Sequence, residues 1–288
     1  MLDYGAAALI LFCLLSLAIG SFLGLFVHRF PQILEENARS NRQLLVLMFQ
    51  NNVGEESLTF PRSHCDLCSS PITFLENIPL LSFLFLKGEC AKCKGSIPRI
   101  YFAIELVTVL SGLCVLYKVG YTSQLGPLLI LTWSLIALSF IDLTNKLLPD
   151  QITIPLVWAG LITNIFFEIT PIAEAVLGAI LGYLSLWLLF WLYKFSTGKE
   201  AIGYGDFKLL AALGAWFGIA ALSPILLIAA IGGLVFAFIR FFSVNRSLKE
   251  PIAFGPFLSI GAFAFLVFRE QINYFCLLYT SPSPRDRG

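Results

Sequence analysis

Two aspartates stand where apolar runs meet short polar turns. Asp142 closes one run in Ser-Phe-Ile-Asp142-Leu-Thr-Asn-Lys-Leu-Leu-Pro-Asp150, and Asp206 opens another in Gly203-Tyr-Gly205-Asp206-Phe-Lys208. Taken singly, Asp142 and Asp206 read equally well as catalytic; for Asp206 the alternative is a helix cap, with Gly203 and Gly205 a flexible turn. Taken together they suggest more, because both fall at the cytoplasmic end of a helix, by the topology argued below, and at comparable depth. Two carboxylates brought within a few ångströms cannot both ionise, so one keeps its proton near neutral pH. That is the requirement of aspartyl proteolysis. The ionised carboxylate takes a proton from an attacking water while its protonated partner polarises the peptide carbonyl. The pair titrates as a unit, so the sequence assigns the acid role to neither residue.

A second chemistry lies in Cys65-Asp-Leu-Cys68 and Cys90-Ala-Lys-Cys93, a C-x2-C-x21-C-x2-C arrangement. Two such pairs offer four thiolates to one tetrahedral Zn²⁺ at about 2.3 Å each, a closed site that holds a fold rather than activating water. Disulfides and separate redox pairs are the competing readings; a cytosolic loop, argued below, favours zinc. Cys13 and Cys114 fall inside apolar runs and read as small buried hydrophobes. Among the other acids in or beside apolar runs, Asp150 reads as an N-cap, and exposure explains Glu168 and Glu174 at the 170–171 turn. Glu105 is the remaining acid inside an apolar run and a candidate on that ground. No G-x-S-x-G, H-E-x-x-H, phosphate-binding loop or dinucleotide fingerprint is present.

The elements that must position these groups follow from composition. The 288 residues are 58% hydrophobic and 13% charged, against about 45–50% and 25% in soluble domains. That excludes a soluble domain of this size, a disordered chain and a secreted disulfide scaffold. With 19 Lys and Arg against 18 Asp and Glu, no basic field exists to bind nucleic acid. An all-α polytopic membrane protein remains. Apolar runs predict eight transmembrane helices, at roughly 5–27, 101–117, 125–142, 152–169, 172–193, 207–222, 224–242 and 251–268. Loop 28–100 holds eight Lys and Arg, and high and low counts broadly alternate thereafter. The positive-inside rule then puts the N-terminus outside and the 28–100 loop, with both aspartates, on the cytoplasmic side. The expected organisation is a first helix in 1–28, a zinc-binding loop domain in 29–100, and a seven-helix membrane domain in 101–275. Residues 276–288 (CLLYTSPSPRDRG) read as the translation of a transposase sequencing adapter and are set aside.

The ordered motifs resemble those of the bacterial type IV prepilin peptidases, also called prepilin leader peptidases/N-methyltransferases. The resemblance spans residues 20–31, Glu76-Asn-Ile-Pro79, Lys87-Gly-Glu-Cys90, Tyr101-Phe-Ala-Ile-Glu105, the Asp142 and Asp150 segment, Gly203–Lys208 and Phe254-Gly-Pro-Phe257. It implies that Asp142 and Asp206 form the catalytic pair at the inner membrane. It also implies cleavage of a basic leader from prepilins or pseudopilins after a glycine, then methylation of the new N-terminal amine from S-adenosylmethionine. The family links its cysteine loop to methyl transfer and implicates the glycine matching Gly88. Under the resemblance, helix packing and contact with the substrate amine are both open for Glu105. Gly24 stands where the family usually has Asn, and Tyr101-Phe-Ala replaces the commoner Tyr-Pro-Leu; neither departure touches an aspartate. The rivals are a presenilin-type intramembrane aspartyl protease, a proton- or cation-coupled transporter using the same acids, and a partner-binding zinc scaffold whose acids merely cap helices.

Overall fold

The computed structural model describes residues 5–44, 68, 89, 90, 92–96, 98–199, 202–244 and 252–280. Among these the chain is helical, apart from one antiparallel bridge between Glu89 and Ser96. It divides into two compact units, Met1–Gly120 and Tyr121–Gly288. The second apolar helix therefore pairs with the first. Most of the predicted zinc-loop domain, including Cys65 and Gly88, lies outside the described residues.

In the first unit, α1 (Ala6–Leu44) packs against α2 (Arg99–Val119). The charge-free run predicts helix to residue 27, but α1 continues through Pro31 to Leu44. Loss of apolar character ends the span without ending the helix, because the polar residues that follow still favour helix. Phe12, Ser16, Leu23 and Val27 are buried on α1 and Ile104, Thr108, Ser111 and Val115 on α2, and a Cβ on Gly112 of α2 would stand 3.4 Å from Ser16 Oγ. Small and hydroxylated residues at such a seam are what membrane helices use in place of hydrophobic drive. Cys114, expected to be buried, is exposed on α2, where the lipid-facing surface of a membrane helix lies.

The second unit holds α3 (Leu125–Asn145), α4 (Asp150–Phe167), α5 (Ile172–Thr197), α6 (Tyr204–Phe217), a 3-10 turn (Ile219–Ala221), α7 (Leu222–Val244) and α8 (Gly255–Thr280). Pro149 and Pro171 precede α4 and α5, and left-handed Lys146 and Glu168 close α3 and α4. Among the described residues, six helical segments are long and apolar enough to cross a membrane: residues 6–36, 99–119, 125–145, 150–167, 172–197 and 219–242. The predicted span 207–222 is different. Its helix, α6, has 14 residues before Gly218 breaks it at φ 80°, about 21 Å against roughly 30 Å of hydrocarbon. Every residue from Leu209 to Phe217 is buried. α6 packs on α4 and α5, so it is the core of the unit rather than a wall against lipid. The last segment, α8, kinks at Phe268, just before Arg269 and Glu270 end its apolar run.

Candidate functional site

Asp142 lies in the last turn of α3 and Asp206 in the first turn of α6, each 6% exposed. Each is held through one oxygen by a glycine N–H. Gly255, which opens α8, donates to Asp142 Oδ2 at 2.9 Å, and Gly203 donates to Asp206 Oδ2 at 3.2 Å. Gly203 is the N-cap of α6 and Asp206 the third residue of the helix. The capping alternative therefore explains one carboxylate oxygen and leaves the other. That other oxygen, Asp206 Oδ1, is buried and has no hydrogen-bond partner among the described residues. Native structures rarely leave such an atom unsatisfied without a reason.

Leu148 joins the two sites. A Cβ on Gly205 would stand 2.5 Å from the Leu148 Cβ, and a Cβ on Gly255 would stand 2.8 Å from Asp142 Oδ2 and 3.1 Å from Leu148 Cδ2. Only glycine at both positions lets the α3–α4 turn seat between α6 and α8. The aspartates are then close enough that the charge of one bears on the other. Asp206, which lies outside the crossing-length segments, is pushed up to about 7, first by burial and next by Asp142, against the opposing Gly203 hydrogen bond. A carboxyl group shifted this far can hold a proton near neutrality and donate it.

The other expected residues separate. Asp150 is not the cap of α4: Pro149 occupies that position, and the Asp150 carboxylate instead meets Lys208 Nζ at 2.6 Å. Proline leaves no side-chain acceptor there, so the acid one position on is free to pair with α6. Glu105 is fully buried on α2, where a Cβ on Gly20 would stand 3.0 Å from its Cα. That places it inside the α1–α2 seam and favours the helix-packing reading. Cys68, Cys90 and Cys93 place their sulfurs within 4.8 Å of one another. Cys90 anchors a tight turn, donating its N–H to the Gly95 carbonyl and accepting from the Lys94 N–H, both at 2.9 Å, with Lys94 left-handed at φ 56°. Three thiols converging from two C-x2-C pairs suit a tetrahedral metal site. Leu148, Lys208 and Gly255 were not singled out from sequence for a role in the site. Their available signal was position: Leu148 two residues before Asp150, Lys208 two after Asp206, and Gly255 beside a helix-opening proline.

Residues 14–119 match the bacterial peptidase A24 N-terminal domain, and residues 129–238 match the type IV leader peptidase family. The chain is 44% identical over 265 residues to the prepilin leader peptidase/N-methyltransferase of Aeromonas salmonicida, covering 90% of each chain. It is 42% identical over 278 residues to the protein of that name from Pseudomonas aeruginosa, covering 95% of this chain and 96% of the relative. With the one from Pectobacterium carotovorum subsp. carotovorum it shares 41% identity over 249 residues, 86% of this chain and 88% of the relative. No solved structure matches the chain.

Proposed function

The chain belongs to the type IV leader peptidase family, and from that premise we propose how its residues carry out the family's work. It is a multi-pass inner-membrane enzyme that cleaves the leader from prepilins and methylates the N-terminus so exposed. Neither the presenilin-type reading nor the transporter is favoured by these relatives. Asp142 and Asp206 are the catalytic pair, and the observation that carries this is their common burial beside Leu148, each tethered by a single glycine N–H. With one proton shared between them, the ionised carboxylate accepts a proton from water as its oxygen attacks the scissile carbonyl carbon. The protonated partner hydrogen-bonds the carbonyl oxygen and stabilises the charge that develops there. Collapse of the tetrahedral intermediate breaks the C–N bond, and the proton taken from water passes to the departing amine.

The scissile bond follows a glycine, and the leader is basic. The Lys and Arg distribution supports a cytoplasmic site for both the leader and the aspartates. A Zn²⁺ held by Cys68, Cys90 and Cys93, with Cys65 as fourth ligand, would be closed to water and would brace the loop that contains Gly88. S-adenosylmethionine, when bound, supplies the methyl group. Gly88 is the residue we associate with that step, and Glu105 supports the α1–α2 seam. Co-expression with a prepilin, followed by mass determination of the product's N-terminus, tests the reading. The wild type is expected to give a leaderless, singly methylated N-terminus; an intact leader would refute it.

A further inference from the structure

Lys208 is the charged member of the Gly203–Lys208 segment to which the proposed chemistry gives no task. Its Nζ donates to both oxygens of Asp150, at 2.6 Å each, joining the second turn of α6 to the first residue of α4. The two side chains are 28% and 51% exposed, so the pair adds little to global stability. Orientation is a different matter. Asp206 and Lys208 are two residues apart, about 200° around a helix, and project from nearly opposite sides of α6. Tying Lys208 to α4 fixes the rotation of α6 about its axis, and with it the direction in which Asp206 points. Contact between Leu148 and Gly205 limits how closely α6 approaches the α3–α4 turn, and the Gly255 N–H fixes Asp142. Hydrogen bonds from Asn164 and Trp216 tie the C-terminal end of α6 to α4, and the Lys208–Asp150 pair is the tie to α4 at the N-terminal end, where Asp206 stands.

We propose that Lys208, acting through Asp150, is a positioning residue for the aspartate pair, its ion pair holding α6 in the rotation that turns Asp206 toward Asp142. The inference rests on the peptidase reading above. It predicts that Lys208→Gln and Asp150→Asn each lower kcat for prepilin cleavage by about tenfold or more, with KM within about twofold of wild type. The exchanged double variant, Asp150→Lys with Lys208→Asp, restores the pair in reverse and should return kcat to within about threefold. A rise in KM at unchanged kcat would overturn the proposal by making the pair a substrate contact. Single variants with wild-type kcat would overturn it too, as would an exchanged variant of normal yield and helicity that fails to recover. A second arm needs no substrate: amide exchange at residues 205–207 should quicken by about tenfold in Lys208→Gln, and unchanged exchange would refute the role. Failure of the wild type to cleave counts against the peptidase reading alone, and amide exchange then still decides the positioning claim.

Discussion

The two ends of α6 treat buried polar groups in opposite ways. At the C-terminal end, Asn164 of α4 uses its whole amide: Nδ2 donates to the Ala215 and Trp216 carbonyls at 2.8 and 3.2 Å, and Oδ1 accepts the Thr170 N–H at 2.9 Å. Trp216 Nε1 donates to the Leu156 carbonyl at 2.9 Å, and Arg269 secures Ile169 and Thr170. At the N-terminal end, two carboxylates are buried together and Asp206 Oδ1 is left with no partner among the described residues. A satisfied network adds rigidity, whereas an unsatisfied carboxylate costs stability and is retained where chemistry needs it. On the proposed mechanism, the difference separates what holds this helix from what it is used for.

The largest effect should follow from breaking the N-terminal end. Asp142→Ala or Asp206→Ala is expected to lower kcat/KM for leader cleavage by about 10³-fold or more. The thermal midpoint in detergent should hold or rise, since a buried carboxyl group crowded by a second one is removed. A smaller loss should come from Gly205→Ala, whose new Cβ meets Leu148 at 2.5 Å. Displacing Asp206 by a fraction of an ångström to an ångström should cost up to about 10²-fold in kcat, and a wild-type rate would show the close approach to be dispensable.

The pH profile sharpens the same comparison. On the proposed mechanism the pair works with one proton, and burial and the Asp142 charge push Asp206 up to about 7. As pH rises through about 7 that proton is lost and the acid disappears. Cleavage should then fall by about tenfold per pH unit beyond that point, and a flat rate to high pH would contradict the shared-proton mechanism. At the other end of the helix, Asn164→Ala leaves two carbonyls and an N–H unpaired. It should destabilise the fold by about 2–3 kcal/mol while leaving kcat per folded molecule close to wild type. Cys90→Ser should release bound zinc and impair methylation more than cleavage; unchanged zinc content would refute the ligand assignment.

Much of this was legible in the sequence because charge is scarce. Few acids stand in or beside apolar runs, and Asp142 and Asp206 do fall in one buried patch. All eight predicted runs proved helical, since lipid-compatible composition and proline and glycine stops mark such helices directly. What the sequence hid was tertiary. Hydropathy cannot tell a helix buried in protein from one facing lipid, so nothing in the run 207–222 announced that its helix is short and enclosed by its neighbours. Asp150 read as a cap because its partner, Lys208, is distant in sequence. Gly255 lies 113 positions from the aspartate it tethers, and no local pattern encodes that hydrogen bond.

The most direct test of the contrast is the rate of leader removal from a purified prepilin by the Asp206→Ala and Asn164→Ala proteins, each corrected for its folded fraction. The account predicts that the Asn164 variant cleaves faster by about 10³-fold or more. Equal rates would contradict it.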